Sequence, residues 1–148
     1  MGTPLMSPRR NGGTSLRIRA FAAGPFSRGE KVKVTITVEN TGSNKAIGVQ
    51  PTISIMDSGG YYVMYITSTD TSDSVISPSG PWDPTDISAN GSHDFEATFR
   101  IPSDAATGAG SYTVGVDCEN AEHASDSGTF NIEVGGTSVD VSTAFSSV

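Results

Sequence analysis

The chain has 148 residues, 17% of them charged, with 17 glycines, 8 prolines, one cysteine and a net charge of −7. That length suits one domain able to bury a core without a disulfide or metal to staple it, and the acidic balance argues against a nucleic-acid partner, because phosphate binding needs a basic surface. No run of about 18 apolar residues occurs, so no membrane-spanning helix is expected.

Residues 1–14 are rich in Gly, Pro and Arg and show no periodicity, which predicts a flexible basic arm. Arg9 and Arg10 lie in it, but no apolar stretch follows them, so the segment does not read as a signal peptide. The charge is also unevenly spread. Residues 1–45 hold eight basic and two acidic side chains, whereas residues 46–148 hold one basic residue, Arg100, and fourteen acidic ones. Solvated faces account for this. A sharper alternative is a basic arm, carrying Arg9, Arg10, Arg17 and Arg19, that docks on the acidic body of a neighbouring copy and is weakened by salt.

Residues 15–134 repeat one pattern, short runs of alternating apolar and polar residues, the mark of strands with one buried face. Leu16, Ile18 and Ala20 alternate with Arg17 and Arg19, and Gly24-Pro25 breaks the run. Val32, Val34, Ile36 and Val38 form the clearest inward face, closed by the turn Asn40-Thr41-Gly42. Ile47, Val49, Ile53 and Ile55 follow, with Pro51 predicting an edge or a bulge because it cannot donate to a ladder. Asp57-Ser58-Gly59-Gly60 reads as a hairpin turn, and the aromatic, β-branched run Tyr61 to Thr67 as a strand. Residues 68–91 predict a long loop with one short strand near Val75-Ile76. After the turn Asn90-Gly91, the residues His93, Phe95, Ala97, Phe99 and Ile101 share a face. Tyr112, Val114, Val116 and Cys118 share another, and Phe130, Ile132 and Val134 form the last. Residues 135–148 are a Gly/Ser/Thr-rich tail, either an extra strand around Val139 and Val141 or an unstructured end. With about seven to eight strands and no helix, the pattern predicts an all-β sandwich or barrel of antiparallel sheets.

Three segments in order, KVKVTITVENTG (Lys31 to Gly42), ISANGSHDFEATFRIP (Ile87 to Pro102) and GSYTVGVD (Gly110 to Asp117), resemble the CARDB and related fibronectin-III-like modules of prokaryotic surface proteins. The resemblance spans roughly residues 15–134 and departs from the compact form around residues 68–86. It implies an immunoglobulin-like antiparallel β-sandwich used as a spacer, adhesion or accessory module, without catalytic residues. A tyrosine-corner role for Tyr112, its hydroxyl bonding backbone, fits that architecture.

Chemistry is sparse. Asp57-Ser58-Gly59 and Asp126-Ser127-Gly128 match the D-[TS]-G motif of aspartic proteases, but Asp, Ser and Gly are turn formers and both tripeptides fall between predicted strands. His93 and His123 have no Cys or His partner at zinc spacing, and His93 shares the inward register at a strand start, as a core-edge histidine. No G-x-S-x-G elbow accompanies them. Cys118, on the face of Val114 and Val116, is read as a buried structural thiol rather than a reactive or intermolecular one. Asp70, Asp73, Asp83 and Asp86 crowd the long loop, and calcium takes such oxygen ligands, but no D-x-[DN]-x-[DN]-G loop occurs, so no cofactor is expected. Trp82 either plugs one end of the sandwich, the preferred reading, or stacks on a glycan. Tyr61, Tyr62 and Tyr65 put aromatics on both faces of one strand, so Tyr62 and Trp82 are the candidate partner or glycan surface. Asn90-Gly91-Ser92 is a glycosylation sequon that also makes a good turn.

These readings converge on a non-catalytic structural or adhesive module of an extracellular, cell-surface or filament protein. It would contact other proteins, copies of itself included, by adding terminal arms to a neighbour's sheet edge. The alternatives are a capsid-decorating or tail protein of a virion, and a carbohydrate-binding or accessory module of a secreted hydrolase.

Overall fold

A computed structural model of the chain describes residues 16–21 and 24–134. The arm with Arg9 and Arg10, and the tail from residue 135, lie outside the described residues. In chain order the strands are β1 (Leu16–Phe21), β2 (Phe26–Ser27), β3 (Lys31–Asn40), β4 (Ala46–Met56), β5 (Tyr62–Ile66), β6 (Val75–Ser77), β7 (Thr85–Ile87), β8 (Ser92–Arg100), β9 (Gly108–Cys118) and β10 (Ala121–Glu133). There are ten strands among the described residues rather than seven or eight. The two that sequence reading missed, β2 and β7, are two and three residues long. Among the described residues no helix is long and apolar enough to cross a membrane.

Two sheets stack as an immunoglobulin-like β-sandwich. One runs β1-β3-β8-β6; the other runs β2-β10-β9-β4-β5, with β7 also paired to β4. The chain changes sheet between β1 and β2, and β2 lies parallel to β10, pairing Phe26 with Ile132 and Ser27 with Glu133. That pair departs from the all-antiparallel expectation. It also seats the Phe26 ring on Phe130, with centroids 5.3 Å apart.

Most inward faces are those the alternation marks, but on β4 the register shift between Ala46 and Val49 buries Ala46 and leaves the expected Ile47 only half-buried. Val32, Val34, Ile36 and Val38 of β3 meet Phe95, Ala97 and Phe99 of β8, and across the sandwich lie Ile53 and Ile55 of β4, Val114 and Val116 of β9, and Phe130 and Ile132 of β10, all buried. Burial of such side chains is the main stabilising contribution, about 1.5–3 kcal/mol for each large one.

Asn40 closes β3 from inside the core. Fully buried, its Nδ2 donates to the carbonyls of Asn44 (2.8 Å) and Ile87 (3.1 Å), and its Oδ1 accepts from Gly42 N–H at 3.0 Å. Asp57 does the same at the β4–β5 turn, where Oδ1 accepts from the N–H groups of Gly59 (2.9 Å) and Tyr61 (3.0 Å) and Oδ2 from Ala106 (3.0 Å). Gly60 completes that turn at φ +83°, where a side chain would be strained.

Pro51 sits within a central strand, but at a local gap. On the side of β4 away from β9, the partner is β7 as far as Val49 and β5 from Ile53 onward. The proline falls between the two, where no ladder donor is required.

Two expectations fail in β10. Asp126-Ser127-Gly128 is not a turn but the middle of the strand, paired in register with Val114, Thr113 and Tyr112. Val134 keeps the parity of Phe130 and Ile132 but is 68% exposed. The β9 ladder stops at Gly108 opposite Ile132, so Val134 extends past the sheet that would cover it.

Candidate functional site

The outer face of the six-stranded sheet carries small polar residues at its centre. Thr52 and Ser54 on β4 lie beside Gly115 and Thr113 on β9, and Gly115 pairs with Ser125 on β10. With Tyr62 and Tyr65 at one side and His123 at the other, these residues line an open trough of about 680 Å³.

Both walls stand where a strand departs from its regular period. Tyr62 and Tyr65 are three apart, so a regular strand would send them to opposite faces, as sequence reading had it. Between Ile55 and Met56 of β4 the register to β5 shifts, with Met64 opposite Ile55 and Tyr62 opposite Met56. This bulge buries the adjacent Val63 and Met64 together and brings Tyr62 against Tyr65 edge to face, centroids 5.2 Å apart. An extra residue in one strand re-aims side chains in this way. On the opposite side the β9–β10 register shifts between Ala121 and Ala124, and His123 lies within that irregularity.

His123 Nδ1 is 2.8 Å from Asp117 Oδ1. The imidazole leans over Gly115, where a Cβ would stand 2.9 Å from His123 Cε1 and 3.2 Å from Nε2. Glycine at 115 is therefore what lets the ring lie across the trough floor, with Asp117 orienting it through Nδ1 so that Nε2 points over the floor. The pair is exposed, and among the described residues no hydroxyl hydrogen-bonds to Nε2. Sequence reading missed this pairing, since Asp117 and His123 are six residues apart around a hairpin, a spacing with no motif.

Trp82 is elsewhere. It is buried, with Nε1 donating to the Glu96 carbonyl of β8 at 3.0 Å and its own carbonyl accepting from Gln50 Nε2 of β4 at 2.8 Å. It packs edge-on against Phe95 at 6.1 Å and ties the two sheets together. Its indole is not presented for stacking on a glycan, which corrects its placement on the candidate surface.

His93 keeps the inward parity of β8 but is exposed, lying edge-on to Phe95 with ring centroids 4.7 Å apart. Cys118 is half-buried, and its thiol donates to Asn120 Oδ1 at 3.2 Å. Asn90 is exposed at the turn before β8, at φ +62°, a left-handed conformation that asparagine tolerates. Arg17 and Arg19 belong to β1, in register with Glu39 and Thr37 of this chain's own β3, so that part of the expected arm is already committed to the sandwich. Among the described residues no three His, Cys, Asp or Glu side chains gather to hold a metal ion, and Asp86 accepts a hydrogen bond from Gly48 N–H at 2.9 Å.

The sheet edges are treated unequally. Along β5, Tyr65 N–H donates to Ser72 Oγ and Tyr65 carbonyl accepts from Ser72 N–H, both at 2.9 Å. The Val63 carbonyl accepts from Ser74 Oγ at 2.7 Å, and Thr67 N–H donates to the Asp70 carbonyl at 2.8 Å. Residues 67–74 thus close this edge. On β10, by contrast, the side away from β9 is paired among the described residues only at Ile132 and Glu133.

No family model matches the chain, and no curated protein matches it. Solved structures do share the fold. The C-terminal domain of Wzt is similar over 93% of this chain and 86% of its own, with 14% identity and a TM-score of 0.54. A fragment of Escherichia coli alpha-2-macroglobulin, from domain MG7 to the C-terminus, is similar over 84% of this chain, with 8% identity and a TM-score of 0.57. A family 123 glycoside hydrolase from Clostridium perfringens is similar over 80%, with 11% identity and a TM-score of 0.54. The chain spans only 17% of the macroglobulin fragment and 27% of the hydrolase.

Proposed function

We propose that the chain is a non-catalytic structural or adhesive module of an extracellular, cell-surface or filament protein. It joins other proteins, copies of itself included, by strand addition along β10. The observation that carries this reading is the contrast between the two ends of the six-stranded sheet: the β5 edge is closed by residues 67–74, while among the described residues β10 has no ladder partner on its outer side from Ala121 to Thr129. An exposed ladder side of that length is a template for another extended segment, and proteins that avoid such pairing blunt it. The chain carries two candidate segments, the basic arm and the alternating tail around Val139 and Val141. The resemblance to CARDB-like modules belongs to the same reading. Its compatibility with a domain of a larger protein is supported by neighbours in which the matching stretch is 17% and 27% of the chain.

The test is sedimentation of the full chain beside chains lacking residues 1–14 or 137–148. Assembly of the full chain, with monomers from at least one truncation and loss of amide protection along Ala121–Thr129, is the expected result. Identical behaviour of all three chains overturns the reading.

A further inference from the structure

We propose that the trough on the outer face of the six-stranded sheet is a binding site for a neutral glycan. A sugar ring would stack on the Tyr62–Tyr65 pair and its hydroxyls would be held by Thr52, Ser54, Thr113 and His123 Nε2. Trp82 takes no part, and of β10 the site uses the side chains of His123 and Ser125 on the outer face of the sheet rather than the backbone groups proposed for strand addition.

Four observations carry this. A pyranose has apolar C–H faces and a rim of hydroxyls, and it needs an aromatic wall over a floor of short donors and acceptors. The trough has that arrangement, with Tyr62 56% exposed and the hydroxyls of Thr52, Ser54, Thr113 and Ser125 on neighbouring strands. Hydroxyls both donate and accept, as sugar hydroxyls do.

Charge narrows the ligand class. No lysine or arginine lines the trough, and its one lining carboxylate is Asp70. A phosphate, a sulfated sugar or a nucleic acid would find no lysine or arginine there, only His123 already paired with Asp117, whereas a neutral polyhydroxyl ligand needs no counter-charge.

The two walls are set by separate irregularities, the β5 bulge that gathers the tyrosines and the β9–β10 shift that carries His123. Bulges re-aim side chains next to functional sites, and neither serves the core here beyond burying Val63 beside Met64. Finally, Gly115 keeps the floor low enough for the imidazole to reach across it, and about 680 Å³ lies within the usual range for ligand sites, roughly 300–1,000 Å³.

The experiment is affinity electrophoresis of the full chain through gels containing neutral polysaccharides (a mannan, a galactan, a β-glucan and an α-glucan), with dextran sulfate as the anionic control. Retardation by at least one neutral polymer is expected. Tyr62→Ala should weaken it about tenfold, in line with the loss of one stacking ring, and Gly115→Val should abolish it by displacing His123 into the trough. Trp82→Phe should leave it unchanged. Thermal melting of each variant separates lost binding from lost folding, and Tyr62→Phe, which keeps the ring, should restore most of the affinity. Four outcomes overturn the proposal: no retardation by any neutral polymer, retardation that survives both Tyr62→Ala and Gly115→Val, retardation by dextran sulfate alone, or self-association without polysaccharide that Tyr62→Ala abolishes, which would assign the face to a second copy.

Discussion

Tyr112 of β9 lies directly across from Gly128 of β10, and its ring atoms Cε2, Cζ and Oη stand 2.6–2.8 Å from where a Cβ at residue 128 would be. The absence of a side chain at 128 gives the phenol its place over the strand. Burial raises the Tyr112 pKa, and the nearby Asp126 carboxylate adds to that rise by disfavouring a second negative charge. Gly128→Ala should therefore move the ring rather than the backbone, at a cost of about 1 kcal/mol. Gly110→Ala should be worse, about 3 kcal/mol, because its Cβ would collide with the Met56 carbonyl of the neighbouring strand, which cannot swing aside. Urea titration of the two variants checks the order. A cost for Gly110→Ala no greater than for Gly128→Ala would contradict the packing at the β4–β9 pair.

Asp57 gives the fold an acid-sensitive joint. Burial by itself would raise its pKa, but hydrogen bonds from the backbone N–H groups of Ala106, Tyr61, Gly59 and Gly60 outweigh this and hold it below the ordinary 3.8. With the folded value depressed, the contribution to stability is fully present above the unfolded carboxylate's pKa, about 3.9, and is lost as pH falls through the folded value. Asn at 57 keeps one acceptor for Gly59 and Tyr61 but turns a donor toward Ala106 N–H. Asp57→Asn should cost about 1–2 kcal/mol at neutral pH and should flatten the decline in melting temperature as pH falls below about 4. A wild-type decline that Asp57→Asn leaves unchanged would assign acid sensitivity to other carboxylates.

Asn40 is a one-way fit. Its amide donates to the Asn44, Ile87 and Ser88 carbonyls, the last at 3.3 Å, while its oxygen accepts from Gly42. Asn40→Asp puts a carboxylate against three carbonyl oxygens inside the core, so a loss of about 3 kcal/mol or more is expected. Asn40→Ala leaves those partners unsatisfied without adding repulsion and should cost less. Equal losses in the two variants would mean that the carbonyls find other donors.

The inward faces of β3, β8 and β9 were legible because each strand is nine residues or longer and its alternation is uninterrupted. What escaped the reading has local causes. Phe26–Ser27 and Thr85–Ile87 are too short to display a period. The turn preference of Asp126-Ser127-Gly128 is outweighed by ten paired positions with β9. The trough was invisible because its walls depend on exceptions to the two-residue rule: parity places Tyr62 and Tyr65 apart and gives no reason to join Asp117 to His123. Only where the ladders slip do these four residues become two walls of one site.

Trp82 separates structural from recognition roles. Its ring fills space between the sheets beside Phe95, and its indole N–H satisfies the Glu96 carbonyl. Trp82→Ala should cost about 3–5 kcal/mol, the usual loss for a large aromatic removed from a core. Trp82→Phe keeps most of the packing, forfeits one hydrogen bond and should cost about 1 kcal/mol for the bond, with a further loss for the smaller ring. Chemical unfolding of both variants measures this, and indole fluorescence of the wild type adds an independent reading. A buried Trp82 should resist quenching by iodide in the native chain and become quenchable only along the unfolding transition. Ready quenching in the folded state, together with a negligible cost for Trp82→Ala, would put the indole on the surface and return it to the candidates for stacking on a sugar.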